Sequence, residues 1–234
     1  MSIAERLTKV RARIEGAERR SGLGGEVKLV AVSKKQPVEA IREAYAVGQR
    51  AFGENYVQEL VAKADALRDL PDLEWHFVGH LQTNKAKAAV RVAHVVHCVD
   101  SAALAKELGR RVAARPAGVG IDRPPLPVLI EVNVGGEPQK PGASPAEIDE
   151  VIAAVRAQPA LALRGLMTMP PAGDLQAARR VFETLALLRN LHGGEAAMPE
   201  LSMGMSQDLE VAIACGATMV RVGTAIFGRR EPAA

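Results

Sequence analysis

Lys34 is the residue with the most chemistry to offer. It follows the apolar run Val27-Lys28-Leu29-Val30-Ala31-Val32, and Gln36-Pro37 comes almost at once. A run of that composition predicts a buried strand, and the proline marks the start of the next helix. An amine is thereby placed where a strand gives way to a helix, the edge at which α/β proteins bind ligands. A lysine held there, partly out of water, tends to lose its charge, and a neutral amine attacks an aldehyde. Taken alone, Lys34 also fits an ordinary solvated lysine just past a strand.

A second set of residues lies near the far end of the chain. Met219-Val220-Arg221-Val222 runs into Gly223-Thr224-Ala225, and Leu201-Ser202-Met203-Gly204-Met205-Ser206 leads into another helix. Glycine after a buried strand lets backbone N–H groups approach a ligand, and a helix starting there adds its positive end. Ser206 is expected to cap the helix over 209–214, so that its hydroxyl and the first free N–H groups face one point. Each piece alone is a capped helix or a glycine turn; together they suit a phosphate. Asp208 and Glu210 would repel that phosphate, so both are required to point away. Arg221 shares a strand face with Gly223 and, midway through an apolar strand, must have a partner. That partner is either a structural acid inside the fold or a ligand. A phosphate grip, a buried arginine and a strand-end lysine across the barrel describe a pocket for pyridoxal 5′-phosphate.

The elements that must position these residues alternate along the chain. Strands are predicted at 27–33, 50–53, 75–79, 95–99, 128–134, 162–167, 200–203 and 219–222. Helices are predicted at 38–47, 57–67, 102–113, 146–157, 175–191 and 209–214. About eight βα units in 234 residues point to a single-domain (β/α)8 TIM barrel over 1–234. An extra N-terminal helix precedes it, with Ile3, Leu7, Val10, Ile14 and Ala17 as its apolar stripe and the segment Gly22 to Gly25 as its end. An open doubly wound sheet is the alternative, but no G-x-G-x-x-G follows the first strand. The Pro/Gly-rich stretch 115–127 reads as a loop between units.

Hydrophobic residues make up 48% and charged residues 24%, which sets the chain among soluble globular proteins with a sizeable core. Aromatic residues are only 3%, too few for base-stacking platforms, so no nucleic-acid partner is expected. The net charge of +3 is dispersed, and Arg6, Arg11, Arg13, Arg19 and Arg20 are interleaved with Glu5, Glu15 and Glu18 as on a solvated helix face. Cys98 and Cys215 read as reduced thiols, no run spans a bilayer, and the charged start is no secretion signal. A cytoplasmic location is the resulting expectation. No assembly element stands out, so a monomer is expected.

Several segments then resemble one family. Ala31-Val32-Ser33-Lys34 with Pro37 resembles its A-V-S-K-x-x-P, and the segment from Phe52 to Glu59 its F-G-E-N-Y-x-Q-E. Trp75 to Lys85 resembles W-H-F-x-G-x-L-Q-x-N-K, and Asn133, Glu137, Lys140 and Gly142 resemble N-x-x-x-E-x-x-K-x-G. Arg164-Gly165-Leu166-Met167, Leu201 to Ser206 and Val220 to Gly228 are similar to its remaining motifs. The family is that of the pyridoxal phosphate homeostasis proteins, and the resemblance runs from Val27 to Arg229.

The resemblance implies a barrel similar to the N-terminal domain of alanine racemase. It implies pyridoxal phosphate held as an imine on Lys34, its phosphate on Ser206, Gly223 and Thr224, and Arg221 near its pyridine nitrogen. It implies storage, buffering or delivery of the cofactor, with transient contact to pyridoxal-phosphate-dependent apo-enzymes, and no established catalysis. An arginine keeps the pyridine nitrogen unprotonated and weakens the cofactor as an electron sink. The racemase's second domain, which brings a catalytic tyrosine, is not expected here, and the tyrosines are Tyr45 and Tyr56 only. The alternative is an amino-acid racemase or lyase using the same pocket.

Other residues stay open. Asn55 either touches the ring or its O3′ oxygen, or ties down its loop. His76 reads equally as a cofactor contact and as a neutral core histidine, and no metal site is expected. Met167 packs on the cofactor or, by default, in the core. Lys35 is taken as solvated and off the motif. Lys140 is a loop lysine able to take the aldehyde in hand-over or simply solvated.

Overall fold

The computed structural model describes residues 1–22, 26–115, 125–137 and 139–228. Among them, eight strands pair in parallel in sequence order: β1 (Lys28–Val32), β2 (Ala51–Glu54), β3 (Glu74–Phe77), β4 (Val95–Val99), β5 (Leu126–Glu131), β6 (Leu161–Met167), β7 (Glu200–Ser202) and β8 (Met219–Val222). β8 pairs with β1 and closes the barrel. The helices are α1 (Ile3–Ser21), α2 (Val38–Ala46), α3 (Val57–Ala66), α4 (Ala86–Val92), α5 (Ala102–Ala113), α6 (Ile148–Arg156), α7 (Leu175–Leu191), α8 (Gly194–Ala197), α9 (Leu209–Ala214) and α10 (Thr224–Phe227). The barrel and its leading helix are thus as expected. None of the helices is long and apolar enough to cross a membrane, and no metal-holding cluster occurs among the described residues.

Strands buried on both faces explain the continuous apolar runs: Val95 to Val99 of β4 and Val128 to Glu131 of β5 are fully shielded. α1 starts with a capping box between Ser2 and Glu5 and ends at Gly22 in the left-handed region, φ 64°. Of its expected stripe, Leu7, Val10, Ile14 and Ala17 are buried, and Ile3 at its start is partly buried against the core. α1 packs beside α2, α9 and α10, the helices that flank the β8–β1 seam. Burying each of its larger apolar side chains contributes roughly 1.5–3 kcal/mol.

Two boundaries differ from expectation for local reasons. The strand expected over 128–134 stops at Glu131, after which Val132 makes one bridge to Ala143. The Asn133 side chain donates to the carbonyls of Glu137 (2.8 Å) and Lys140 (3.3 Å), and such local bonds compete with a strand ladder. The helix expected over 146–157 begins as a 3-10 turn at Pro145–Glu147, boxed by Ser144, before α6. α4, with only Ala86, Ala89 and Val90 buried, carries too faint a stripe to be read from spacing. Residues 23–25, residues 116–124 of the Pro/Gly-rich stretch and Arg229 lie outside the described residues.

Gly79, just past β3, lets the next loop lie against the chain after β2. A Cβ there would stand 2.2 Å from the carbonyl oxygen of Asn55 and 2.6 Å from its Cα. Gly79→Ala is therefore expected to lower the unfolding free energy by about 1–3 kcal/mol, as overpacking does. An unchanged urea midpoint and slope would rule out this close approach.

Candidate functional site

A cavity of about 720 Å³ opens at the C-terminal ends of the strands, and its wall includes Lys34, Asn55, Ser206, Arg221, Gly223 and Thr224. This is the end of a (β/α)8 barrel that carries function. A second cavity, about 580 Å³, lies at the opposite end around Lys28, Gln49 and Glu74. It contains none of the expected site residues.

Lys34 follows β1, and Gly223 follows β8. Sequence reading placed the lysine across the barrel from the phosphate grip, but the two strands are neighbours. Val30 lies beside Arg221, and Ala31 beside Val222. Closure joins the first strand to the last, so amine and glycine turn rise side by side. A Cβ on Gly223 would meet the carbonyl oxygen of Val32 at 3.1 Å, so glycine lets this loop lie against β1.

Ser206 does not cap the helix over 209–214. α9 begins three residues later, with Asp208 at its N-cap position. The Asp208 carboxylate instead accepts from the Met205 N–H (2.5 Å). Ser206 Oγ accepts from the Ala225 N–H in the first turn of α10 (3.2 Å) and ties the seventh loop to the eighth. Glu210 points away as required, paired with Arg13 at 2.7 Å. Asp208 lines the cavity, contrary to that requirement.

Arg221 is 4% exposed. Its Nη1 donates to Ser202 Oγ (2.7 Å) and its Nη2 to the Thr168 carbonyl (2.9 Å). Burial pulls this guanidinium down to about 10, against the opposing charges of Glu131 and Asp208. Burial in turn pushes the Glu131 carboxyl up to about 7, with Asp100 adding to the rise and Arg221 opposing it. Arg221 thus has structural partners and also forms part of the cavity wall.

The structure does not bring His76 or Met167 to the cavity wall. His76 is fully buried on β3, with Nδ1 2.8 Å from His97 Nε2, and His97 Nδ1 is 2.9 Å from Ser202 Oγ. His76 Nε2 approaches Glu74 Oε1 at 3.2 Å but misses hydrogen-bond alignment, so this contact is electrostatic. Burial, then the nearby charges of His76 and Arg221, push His97 well below the usual histidine range. A polar column therefore runs through the barrel interior from Glu74 to Arg221, and His76 belongs to it. Met167 ends β6 with no exposure, and Met169, two residues on, reaches the cavity instead.

Tyr56 is 47% exposed and lies off the wall, as does Lys140, whose Nζ is 2.5 Å from the Glu137 carboxylate. Ser202 and Thr168 were not legible as partners of Arg221, nor His97 as the next group beyond Ser202. Only the position of Arg221 in an apolar strand signalled that partners must exist.

A closed parallel barrel with helices between its strands is the architecture of the alanine racemase N-terminal domain. Residues 6–231 match the family model described as alanine racemase, N-terminal domain. Two relatives, from Pseudomonas aeruginosa and Escherichia coli (strain K12), are each named pyridoxal phosphate homeostasis protein. The first is 46% identical over 233 residues, covering 98% of this chain and 96% of that protein. The second is 44% identical over 237 residues, covering 98% and 97%. Among solved structures, PipY of Synechococcus elongatus with PLP bound is 40% identical with a TM-score of 0.80, covering 97% of this chain and 100% of that one. Alanine racemase from Corynebacterium glutamicum, 22% identical with a TM-score of 0.68 over 97% of this chain and 61% of that one, shares the fold. The chain belongs to the pyridoxal phosphate homeostasis protein family.

The Glu131 environment gives a pH signature. Its folded-state value, about 7, lies above the ordinary 4.5, so the folded protein binds the extra proton between these limits. Its contribution to stability is complete below about 4.5 and is lost as pH rises through 7. Urea unfolding at pH 5 and pH 8 should show the native protein losing on the order of 2–3 kcal/mol more than Glu131→Gln does. Equal losses would mean that Glu131 is not held neutral.

Proposed function

We propose that this protein binds pyridoxal 5′-phosphate and serves its homeostasis, by storage, buffering or delivery. Lys34 is the residue that holds the aldehyde end. The observation that carries this reading is one cavity wall built from two neighbouring strands, with an amine on one and Arg221, Gly223 and Thr224 on the other. The naming of the relatives and the PLP-bound PipY structure support it.

The residues present fit the group. A cavity of about 720 Å³ is within the range that takes a small cofactor. Ser206, Gly223 and Thr224 offer a hydroxyl and first-turn backbone amides, the donors a phosphate needs. Arg221 can only donate, so it suits a pyridine nitrogen that accepts. When bound, the cofactor supplies an aldehyde whose carbon takes an amine nitrogen with loss of one water, reversibly. The chain's part is to hold that amine partly out of water at Lys34, to grip the phosphate, and to keep the ring nitrogen free of a proton.

We read binding rather than turnover. Proton transfer on both faces of a substrate needs a second base beside the lysine. Tyr45 is bonded to Asp72 and stacked under Arg50, and Tyr56 is exposed, so neither tyrosine stands on the cavity wall. Delivery would proceed by transient contact with apo-enzymes that use the cofactor.

Borohydride reduction after incubation with pyridoxal 5′-phosphate should add cofactor mass at Lys34, and Lys34→Ala should lose both that mass and the accompanying absorption band. Labelling elsewhere in the native protein would refute the assignment. Ser206→Ala should weaken cofactor retention about tenfold, the effect of losing one hydrogen bond to a charged group. Retention equal to that of the native protein would move the phosphate away from Ser206. Release of ketoacid or loss of optical purity from single-enantiomer amino acids above background would favour a racemase or lyase instead.

A further inference from the structure

The turn that presents Lys34 is held from behind by a buried charge cluster. Ser33, Lys34, Lys35 and Gln36 form a tight turn in which the Gln36 N–H donates to the Ser33 carbonyl (3.0 Å). Lys35 occupies its third position with φ 59°, and it is the one non-glycine residue in the left-handed region among the described residues. A turn with positive φ at that position normally takes glycine or asparagine there. A lysine persists in such a conformation only where its surroundings over-determine it, and strain of this kind gathers at functional sites.

Those surroundings are Lys63, Glu59 and Glu54. Lys63 of α3 is 7% exposed, and its ammonium donates to the Ser33 carbonyl (2.8 Å), Glu54 Oε1 (2.8 Å) and Glu59 Oε2 (2.9 Å). Glu59 Oε2 also accepts from the Lys35 N–H (2.7 Å). Glu54, fully buried at the end of β2, accepts from the Ser33 hydroxyl as well (2.6 Å). Both chain neighbours of Lys34 are therefore gripped, Ser33 through its carbonyl and hydroxyl and Lys35 through its N–H. Glu54 also directly precedes Asn55, which lines the same cavity. Burial raises the Glu54 carboxyl, against the bonds from Lys63 and Ser33, so the cluster depends on the Lys63 charge.

We propose that Lys63, Glu59 and Glu54 are positioning residues for Lys34: α3 clamps the strained turn and fixes where the reactive amine enters the cavity. The proposal rests on the reading of Lys34 as the aldehyde-holding residue. Its physical logic is that an amine held at the right approach reacts faster than one whose turn relaxes, although the rest of the ligand is bound equally well. The clamp touches the backbone beside Lys34, not the phosphate grip or Arg221, so it should act on capture and not on the grip.

The experiment separates these two quantities. Pyridoxine 5′-phosphate has the ring and phosphate but no aldehyde, so its affinity reports the grip alone. In Lys63→Met this affinity should stay within twofold of the native protein, while formation of borohydride-trappable cofactor slows at least tenfold. Lys63→Arg should recover part of that rate. Hydrogen exchange of the Lys35 amide in cofactor-free Lys63→Met should accelerate at least tenfold while β1 amides keep their protection. A native capture rate in Lys63→Met, or a joint loss of capture and pyridoxine 5′-phosphate affinity, overturns the clamp. Should Lys63→Met fail to fold, Glu59→Gln takes its place, because Glu59 is only partly buried. It should slow capture about threefold and speed Lys35 amide exchange, and no change in either overturns the proposal. If the native protein traps no cofactor, the parent reading falls, and Lys35 exchange in the cofactor-free variants still decides the clamp.

Discussion

The pairing of β1 with β8 is the constraint on which the rest depends. Four residue pairs, from Lys28 beside Met219 to Ala31 beside Val222, zip the first strand to the last. That seam sets Lys34 next to the Gly223 turn and turns Arg221 into the barrel beside Val30. A shift of one residue would reverse every side chain on the strand, sending Arg221 outward and an apolar neighbour inward. The seam is also where α1 lies, with α2, α9 and α10 around it. The extra helix therefore covers the joint that the cavity is built upon, and Arg13 links it to α9 through Glu210 and to the loop carrying Ser206 through the Ser206 carbonyl (3.0 Å).

Closing a barrel around an arginine requires polar groups inside the apolar cylinder. The structure meets this by a column rather than a single partner: Thr168 and Ser202 take the guanidinium, and His97 and His76 continue to Glu74 at the other end. Glu74 is itself held down to about 2. Burial alone would raise it, and the contacts with His76 and Lys28 more than offset that. One end of the column is thus a fixed negative charge and the other a fixed positive one. His97, neutral because burial pushes it below the usual histidine range, carries the column onward without adding a charge of its own.

Two kinds of buried charge therefore serve the cavity. Arg221 stands in its wall. The Lys63 cluster lies behind the Lys34 turn and acts on backbone. Arg221 interrupts an apolar strand and Glu54 of the Lys63 cluster ends another, and each break coincides with the cavity or the turn that serves it. Departures of this kind from simple patterning are where a fold carries function.

The order of strands and helices and the barrel they make were legible in the sequence, because they rest on local signals; of the cavity wall, Lys34, Asn55, Ser206, Arg221, Gly223 and Thr224 were singled out, whereas Met169 and the loop from Pro171 to Leu175 were not. Apolar runs, several of them bounded by glycine or proline, mark the strands, and Lys34, Asn55, Arg221, Gly223 and Thr224 stand at or near the ends of such runs. What the sequence could not decide was which groups meet once strands far apart in the chain become neighbours. The side-by-side placement of Lys34 and Gly223, the removal of His76 into a column with His97, and the use of the Ser206 hydroxyl on α10 rather than α9 all follow from closure and side-chain direction. Lys63 is the sharpest case, since in sequence it is one more lysine on a helix. Only the packing of α3 beside β2 and β3 brings its ammonium to the Ser33 carbonyl in the Lys34 turn, because buried ion pairs are made by three-dimensional proximity that no local spacing encodes.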